Sequence, residues 1–340
     1  MSFESLRERY DNFYVPRFEV HLGDRVIRES DSVISDLSVN TVLEGADTFS
    51  FRLNHPFDHD SGTFDGLTWA EYAPETKLKI HQGYGGQFER TFIGRIQSVN
   101  PDFPAGGSPT VTVRGYGPLH DMTRESRSRS WNDHRLGDVV RQVLSKYDLQ
   151  PDVQGADLRR RKVYQHNQND FQFLSDLADE YGFEFFRERD VVHFRPQDLD
   201  GRSPDLTLRY GESLTSFSPE LNTADAVKTV EVRHWNPTTK REIVGKATRG
   251  DGSGKRVFRR PVESKTDAEE RADSILSRLS DTVVQGSGES VGIPELNAGT
   301  VLRIEDVGES FTNNYYVTSA THRMSNSGYS TSFQVQEDNR

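Results

Sequence analysis

The sequence predicts a β-rich α+β protein, built from two related small antiparallel β-barrels with an α/β insert between them. Segments that alternate apolar and polar residues, separated by turn residues, occur near both ends of the 340-residue chain. Between them the apolar residues recur at helical spacing. These changes of period divide the chain into an N-terminal lead-in at 1–16, a first barrel at 17–117, an insert at 118–197 and a second barrel at 198–340.

The evidence for two barrels is a strand meander that occurs once in each. Both meanders consist of three short alternating segments with glycine in the first turn. The segments are 77–80, 91–99 and 110–114 in the first barrel, and 300–304, 315–320 and 330–335 in the second. Such repetition predicts a duplicated β unit. Any two unrelated meanders share this much pattern, however, so the sequence alone leaves both interpretations open.

The insert is predicted to hold two helices and a hairpin. Residues 136–147 carry an apolar stripe at 3.6-residue spacing, with Asp133 as the candidate N-cap. A second helix is expected to begin after Asn169 and to end at Gly182, since glycine favours the left-handed conformation that closes helices. Residues 183–194 then alternate as two short strands around a polar turn.

The second barrel is predicted to carry one helix and one long polar segment. Thr266 and Glu269 have the spacing of a capping box, which places the start of the helix at Thr266. Residues 236–262 are rich in Gly, Lys and Arg, so we expect a long hairpin or a mobile loop there.

The overall composition excludes several classes of function. A formal net charge of −11 disfavours a broad nucleic-acid-binding face, and no stable nucleic-acid binding is expected. The chain has no cysteine, which excludes disulfides and thiolate metal sites. No apolar run reaches the length of a membrane span, so this subunit is not expected to insert into a membrane.

The sequence contains no strong motif for catalysis, a metal or a cofactor, and the protein is predicted not to be an enzyme. His55 and His59 are four residues apart, but the proline between them prevents a helix from presenting both imidazoles. Asp58, Asp60 and Asp65 are spaced like calcium ligands, yet the closing acidic position holds a tryptophan. A solvated, protruding loop is the favoured interpretation of this segment.

Two basic stretches are the candidate contacts with neighbouring subunits. The first is the only run of four consecutive basic residues in the sequence, and the second lies in the long polar segment. In so acidic a chain, a basic run is expected in an exposed loop or at a subunit contact. The candidate interface residues are Arg159, Arg160, Arg161, Lys162, Lys255 and Arg256.

Several segments, in this order, resemble a known family. Residues 164–174, a polar stretch with an acid before Phe-Gln-Phe-Leu, lead into the helical Leu-Ala-Asp-Glu-Tyr-Gly-Phe at 177–183. This combination is similar to a hallmark of phage tail baseplate hub proteins, the late control protein D and VgrG hub-like family. The upstream segment 136–140 and the closing segments 292–299 and 316–322 resemble the same family.

The resemblance implies a structural role. A member of this family would form a homotrimeric ring that adapts the hexameric tail tube to a trimeric spike, with a central channel for DNA or cargo. Its implied partners are a tube or tube-initiator protein above, a spike protein below and baseplate wedge proteins. VgrG proteins continue into β-helical repeats that this chain lacks, so the spike is expected to be a separate polypeptide. The particle would assemble in the cytoplasm as part of a phage tail or an extracellular contractile injection system.

Two other functions remain open from the sequence. One is a receptor- or carbohydrate-binding β module at a tail tip, which should expose aromatic residues on loops. The other is a tail-associated cell-wall hydrolase, which would need convergent carboxylates or a metal site. For the hub, the net charge of −11 favours an acidic channel that repels DNA or acidic cargo.

Overall fold

The computed structural model of the protein describes residues 3–196, 202–221, 227–236, 239–249, 254–280 and 284–337. The helices are α1 (Phe3–Arg9), α2 (Leu136–Leu144), α3 (Asp170–Tyr181) and α4 (Lys265–Ser280). The strands before the insert are β1 (Pro16–Leu22), β2 (Arg25–Arg28), β3 (Ile34–Val42), β4 (Thr48–Leu53), β5 (Phe57–Asp58), β6 (Thr63–Phe64), β7 (Lys77–Tyr84), β8 (Gln87–Asp102) and β9 (Thr110–Tyr116). The insert has β10 (Ser126–Arg135), β11 (Gln150–Val153), β12 (Arg159–Asn169), β13 (Phe183–Glu188) and β14 (Val191–Pro196). The remaining strands are β15 (Leu206–Arg209), β16 (Leu214–Leu221), β17 (Thr229–Asn236), β18 (Arg241–Thr248), β19 (Lys255–Arg259), β20 (Val284–Val291), β21 (Val301–Glu305), β22 (Asn313–Ser325) and β23 (Gly328–Glu337).

The β-rich character predicted from the sequence is confirmed, and 13 of these strands form one sheet that runs through both ends of the chain. The two predicted meanders are present as β7–β8–β9 and β21–β22–β23. They belong to the same sheet because β3 pairs with β22, where Thr41 lies opposite Ala320. No sheet of the described residues closes on itself. The two separate closed barrels of the prediction are therefore not confirmed.

Apolar residues from both ends of the chain share one core beneath this sheet. The segment predicted as a lead-in contributes to it, since Leu6 and Tyr10 are buried. The Arg9 guanidinium and the Tyr10 hydroxyl donate hydrogen bonds to Glu295 at 2.9 and 2.7 Å. Burial raises the pKa of Glu295. The N-terminal helix is thus held by both apolar burial and polar contacts to the other end of the chain.

The insert has a core of its own, in which α2 and α3 pack on short strands. The predicted hairpin is confirmed, since β13 and β14 pair antiparallel, and β11 adds to β14 in parallel. Strands β10 and β12 form a separate two-stranded ribbon. Trp131 of this ribbon stacks on Phe173 of α3 with ring centroids 5.3 Å apart, which fixes the ribbon over the helix.

The helix caps of the insert follow the prediction at α3 but not at α2. The Asn169 side chain accepts a hydrogen bond of 2.7 Å from the backbone N–H of Gln172, and Gly182 closes α3 with φ of 70°. The predicted N-cap of α2 is wrong. Asp133 lies in β10 and pairs with Arg159, and α2 begins without a capping side chain. Because the Asp133 carboxylate is ion-paired with Arg159 across the ribbon, it does not cap α2.

A third unit consists of α4 and the three-stranded sheet β18–β17–β19. Val230 and Ala268 belong to the small core between the sheet and the helix. The segment 236–262, expected to be a long hairpin or a mobile loop, holds β18 and β19. These two strands flank β17, β18 antiparallel and β19 parallel to it, and do not pair with each other. Residues 237–238 and 250–253 of that segment lie outside the described residues.

Helix α4 begins at Lys265, one residue before the predicted start at Thr266. The Ser264 hydroxyl accepts a hydrogen bond of 3.1 Å from the backbone N–H of Asp267, and the helix begins at Lys265. The capping box predicted for Thr266 and Glu269 is therefore wrong. Serine is a stronger N-cap residue than threonine, and its hydroxyl reaches the N–H three residues on. Across the described ranges, no helix is both long enough and apolar enough to span a membrane.

Candidate functional site

The basic run Arg159–Lys162 is the start of β12, paired with β10, and is not a loop. Side chains alternate across the two faces of a strand, so the four residues have different surroundings. Arg159 is exposed, and its guanidinium binds both carboxylate oxygens of Asp133 at 2.7 and 2.8 Å. Arg161 and Lys162 are also exposed. Three of the four predicted contact residues in this run are thus on the surface.

Arg160 is the exception, because it is only 6 % exposed. Its Nη2 lies 2.7 Å from Oδ1 of Asp267, and its guanidinium carbon lies 4.8 Å from the centre of the Tyr181 ring. Arg271 lies 4.9 Å from the same ring. Burial raises the pKa of Tyr181, whose ring the two guanidinium groups flank. This cluster joins β12 and α3 of the insert to α4.

The other predicted contact residues, Lys255 and Arg256, lie on β19 and are exposed. Lys255 Nζ lies 2.5 Å from Glu231 Oε1, and Arg233 binds the same carboxylate at 2.8 Å. These hydrogen bonds, that of Lys255 foremost, lower the pKa of Glu231. The six candidates therefore lie in two sheets, and Arg159, Arg160 and Lys255 are ion-paired within the chain. Their contact with neighbouring subunits stays a prediction.

The residues considered as metal ligands lie on the β5–β6 hairpin and its connections. His55 Nδ1 is hydrogen-bonded to the carbonyl oxygen of Asp65 at 2.8 Å. Asp58 accepts backbone N–H bonds from Asp60 and Ser61 at 2.9 and 3.3 Å. Hydrogen bonding to Ser61 lowers the pKa of Asp58. Within the part of the chain that the structure describes, no three His, Cys, Asp or Glu side chains are placed to hold a metal ion.

An aromatic group beside this hairpin was not found by sequence reasoning. The Phe57 ring lies 5.0 Å from that of Phe64 and 5.3 Å from that of Phe103. Trp69 packs edge-on against Phe64 at 6.1 Å. Phe103 and Trp69 remain 58 % and 49 % exposed. The available signal in the sequence was their position outside the alternating segments, since large apolar residues there must either reach a core or stay on the surface.

A cleft of about 590 Å³ separates the β7–β9 meander from the connection between α2 and β11. Arg124 binds Glu75 at 2.8 Å and Asp121 at 3.1 Å, and Arg95 lies 3.7 Å from Asp121. Both carboxylates of this cleft wall are therefore ion-paired with arginine side chains.

The architecture matches solved structures of tail proteins. The 43 kDa tail protein of prophage MuSo2 from Shewanella oneidensis has a TM-score of 0.74 at 13 % identity, with 94 % of this chain and 98 % of that chain covered. A tail protein from Neisseria meningitidis MC58 has a TM-score of 0.73 at 13 % identity, with 96 % and 97 % covered. The c3393 protein of E. coli, described as a type VI secretion component similar to the T4 tail proteins gp27 and gp5, has a TM-score of 0.62 at 12 % identity, with 94 % and 77 % covered.

These likenesses show that the chain has the fold of these phage tail and type VI secretion proteins, in agreement with the fold that the resemblance in the sequence implies. A family model also matches the chain. The chain belongs to the Alg8 N-terminal domain family, whose model matches residues 52–255. That match spans most of residues 17–117, the whole insert and the β17–β18 hairpin. A comparison with curated proteins found no match.

Proposed function

We propose that this protein is a structural hub of a phage tail or of a contractile injection particle. Three copies form a ring that accepts a six-fold tail tube on one side and a three-fold spike on the other. The observation that carries this proposal is the single sheet containing two three-strand meanders, in a fold shared with tail proteins.

The geometry favours symmetry matching for a physical reason. Two related β units in each chain give a trimer six near-equivalent surfaces. In this chain the two meanders are held in one hydrogen-bonded sheet through β3 and β22. Their spacing is therefore set within each chain and does not depend on how tightly neighbouring subunits pack. A ring of such chains can keep an even six-fold face.

We also propose that the polar face of this sheet lines the channel. One row of exposed and half-buried polar residues crosses six adjacent strands in register, and five of its six members are uncharged hydroxyl or amide residues. The row consists of Ser216, Glu289, Ser332, Thr321, Asn40 and Thr48. Short, hydrated and mostly uncharged side chains give passing DNA or polypeptide few places to adhere. The channel wall would then carry little charge, in contrast to the acidic channel expected from the net charge of −11.

The proposed work is mechanical and needs no catalytic group. The paired carboxylates of the cleft favour a structural role over a cell-wall hydrolase. A second candidate function has one observation in its favour. Trp69, at the start of a 3-10 helix, and Phe103, between β8 and β9, are exposed outside the strands, as expected for a receptor-binding module.

Native mass spectrometry of the purified protein, alone and with its spike partner, tests the hub proposal. We expect a species of three chains, about 116 kDa from the 38.7 kDa chain, that binds one spike trimer. A monomer that stays monomeric when the spike protein is added would contradict the proposal. Binding of purified cell-surface glycans by that monomer, lost in Trp69→Ala, would favour the receptor module instead.

A further inference from the structure

One surface of the protein is an acidic, aromatic knob formed by residues 54–73 and 98–109. These segments hold five Asp or Glu and no Lys or Arg. Glu71 is paired with Arg25. In the described ranges, no ion pair involves the four aspartates, and Trp69 of the same segments is exposed. The four are Asp58, Asp60, Asp65 and Asp102.

A second surface has the opposite charge. Residues 228–260 contain ten Lys or Arg and three Asp or Glu, a net charge of +7 in a chain whose total is −11. Six of these ten cations lie on β17, β18 and β19. We name this unit the basic sheet.

One face of the basic sheet is open. Val230 and Val232 point toward α4 and are buried, so the alternate positions of β17 face away from the helix. On that open face Trp235 is 59 % exposed and Val257 is 46 % exposed. Lys246 is exposed there as well, opposite Glu231 in the β17–β18 pairing. Trp and Arg are among the residues enriched at protein interfaces.

We infer that the acidic knob of one chain docks on the open face of the basic sheet of the next chain around the ring. The inference rests on the proposed trimer and names the surfaces that close it. Both surfaces carry exposed aromatic rings, which can stack on guanidinium groups, and their charges are opposite. The contact is head-to-tail, because it uses two different surfaces. Such a contact closes into a ring when each step turns by one third of a circle.

A second copy fits this face better than nucleic acid. Glu231 and Glu242 lie on the open face among its cations, and both are ion-paired with Arg233. A phosphate backbone would meet those carboxylates, whereas a protein surface can place its own aspartates beside the remaining cations, Lys246 and Arg259. The matching acidic surface is already present in the same chain. Nucleic-acid binding is therefore an outcome of the test.

Charge reversal on each surface tests the docking. Asp58→Lys with Asp60→Lys, or Lys246→Glu with Arg259→Glu, should weaken trimer formation about 10-fold or more, with stronger loss at low salt. Combining both reversals in one chain should restore the trimer, because a reversed knob then meets a reversed sheet at all three contacts. A mixed trimer of the two double variants would still keep one mismatched contact. The exposed control pair Glu8→Lys and Glu309→Lys makes the same change of charge as the knob reversal but elsewhere, and should leave assembly unchanged.

The possible results separate the inference from the hub proposal. If the trimer tolerates each reversal made alone, the docking mode is overturned and the hub proposal stands. If the wild type forms no trimer even with the spike present, both are overturned. A single-stranded 30-mer oligonucleotide that binds the wild type, loses binding on sheet reversal and leaves the mass unchanged would assign the basic sheet to nucleic acid. Trp235→Ala provides a second test with no change of charge. Far-ultraviolet circular dichroism of each variant confirms that it folds.

Discussion

The Asp47–Arg187 ion pair gives the sharpest prediction about how the insert is attached to the main sheet. Asp47 lies in the β3–β4 connection and Arg187 in β13, with Arg187 Nη1 3.0 Å from Asp47 Oδ2. The side chains are only 7 % and 4 % exposed. Asp47 also accepts a backbone hydrogen bond from Val42 at 3.2 Å. The pair therefore joins two structural units at a point that water does not reach.

Removing one partner leaves the other charge buried without compensation. Asp47→Ala should lower the free energy of unfolding by about 3–5 kcal/mol, the usual loss when a buried ion pair is broken from one side. The double variant Asp47→Ala with Arg187→Met removes both charges and should recover most of that loss. Asp157→Ala breaks an exposed pair with Arg135 and should change the free energy by less than about 1 kcal/mol.

The dependence on pH has a definite sign. Burial outweighs the attraction of Arg187 and raises the pKa of Asp47 to about 6. A carboxyl group whose folded pKa exceeds its unfolded value of about 3.9 binds its proton more tightly when folded. Its contribution to stability is thus present below about pH 4 and is lost as the pH rises through about 6. Asp47→Asn should remove that dependence.

Urea unfolding followed by tryptophan fluorescence measures these differences. Trp131 is buried in the insert, whereas Trp69 and Trp235 are about half exposed, so the fluorescence change reports mainly on the insert. A loss below about 1 kcal/mol for Asp47→Ala would refute the reasoning, because the ion pair would then be replaceable by water. A double variant no better than the single one would show that shape, and not charge, holds the units together.

Three further changes have expected outcomes. Gly182 has a φ of 70°, and Gly182→Ala places a Cβ 1.9 Å from the Ser274 hydroxyl oxygen. This variant should lower the melting temperature more than Gly308→Ala, because Gly308 has a φ of 88° but open space around it. Equal shifts would exclude the steric effect. Burial lowers the pKa of His322 to about 4. Its contribution to stability, about 3 kcal/mol, is therefore lost as the pH falls from about 6.5 to about 4. In denaturation measured over this pH range, His322→Gln should remove that loss. Leu6→Ala should cost about 2–4 kcal/mol and speed proteolysis near the N-terminus, whereas the exposed Glu8→Ala should not.

Local features of the fold were predictable from the sequence. The bounds of α3, a start after Asn169 and an end at Gly182, were correct because each depends on a few neighbouring residues. The two meanders were correct because alternation and turn residues define strands locally. The Asp133 cap failed because Arg159, 26 positions away in sequence, pairs with that carboxylate. The prediction therefore held where short-range contacts dominate.

The candidate contact residues show the same division. The basic character of 159–162 is plain in the sequence, but the burial of Arg160 depends on α4, about 100 residues later. The charge of the basic sheet could be counted from the sequence, whereas its open face could not, since only the packing of Val230 on α4 decides which side chains stay exposed. The aromatic group around Phe103 likewise needs the β8–β9 turn to meet the β5–β6 hairpin.

By itself, the sequence determined that this is a β-rich protein with two meanders, a helical insert and a resemblance to tail hubs. Tertiary structure decided that both meanders share one open sheet, because the pairing of β3 with β22 joins residues nearly 300 positions apart. Alternation reveals which face of a strand is apolar, but strand edges carry the same N–H and C=O groups everywhere. The choice of neighbouring strand therefore depends on the whole packed core.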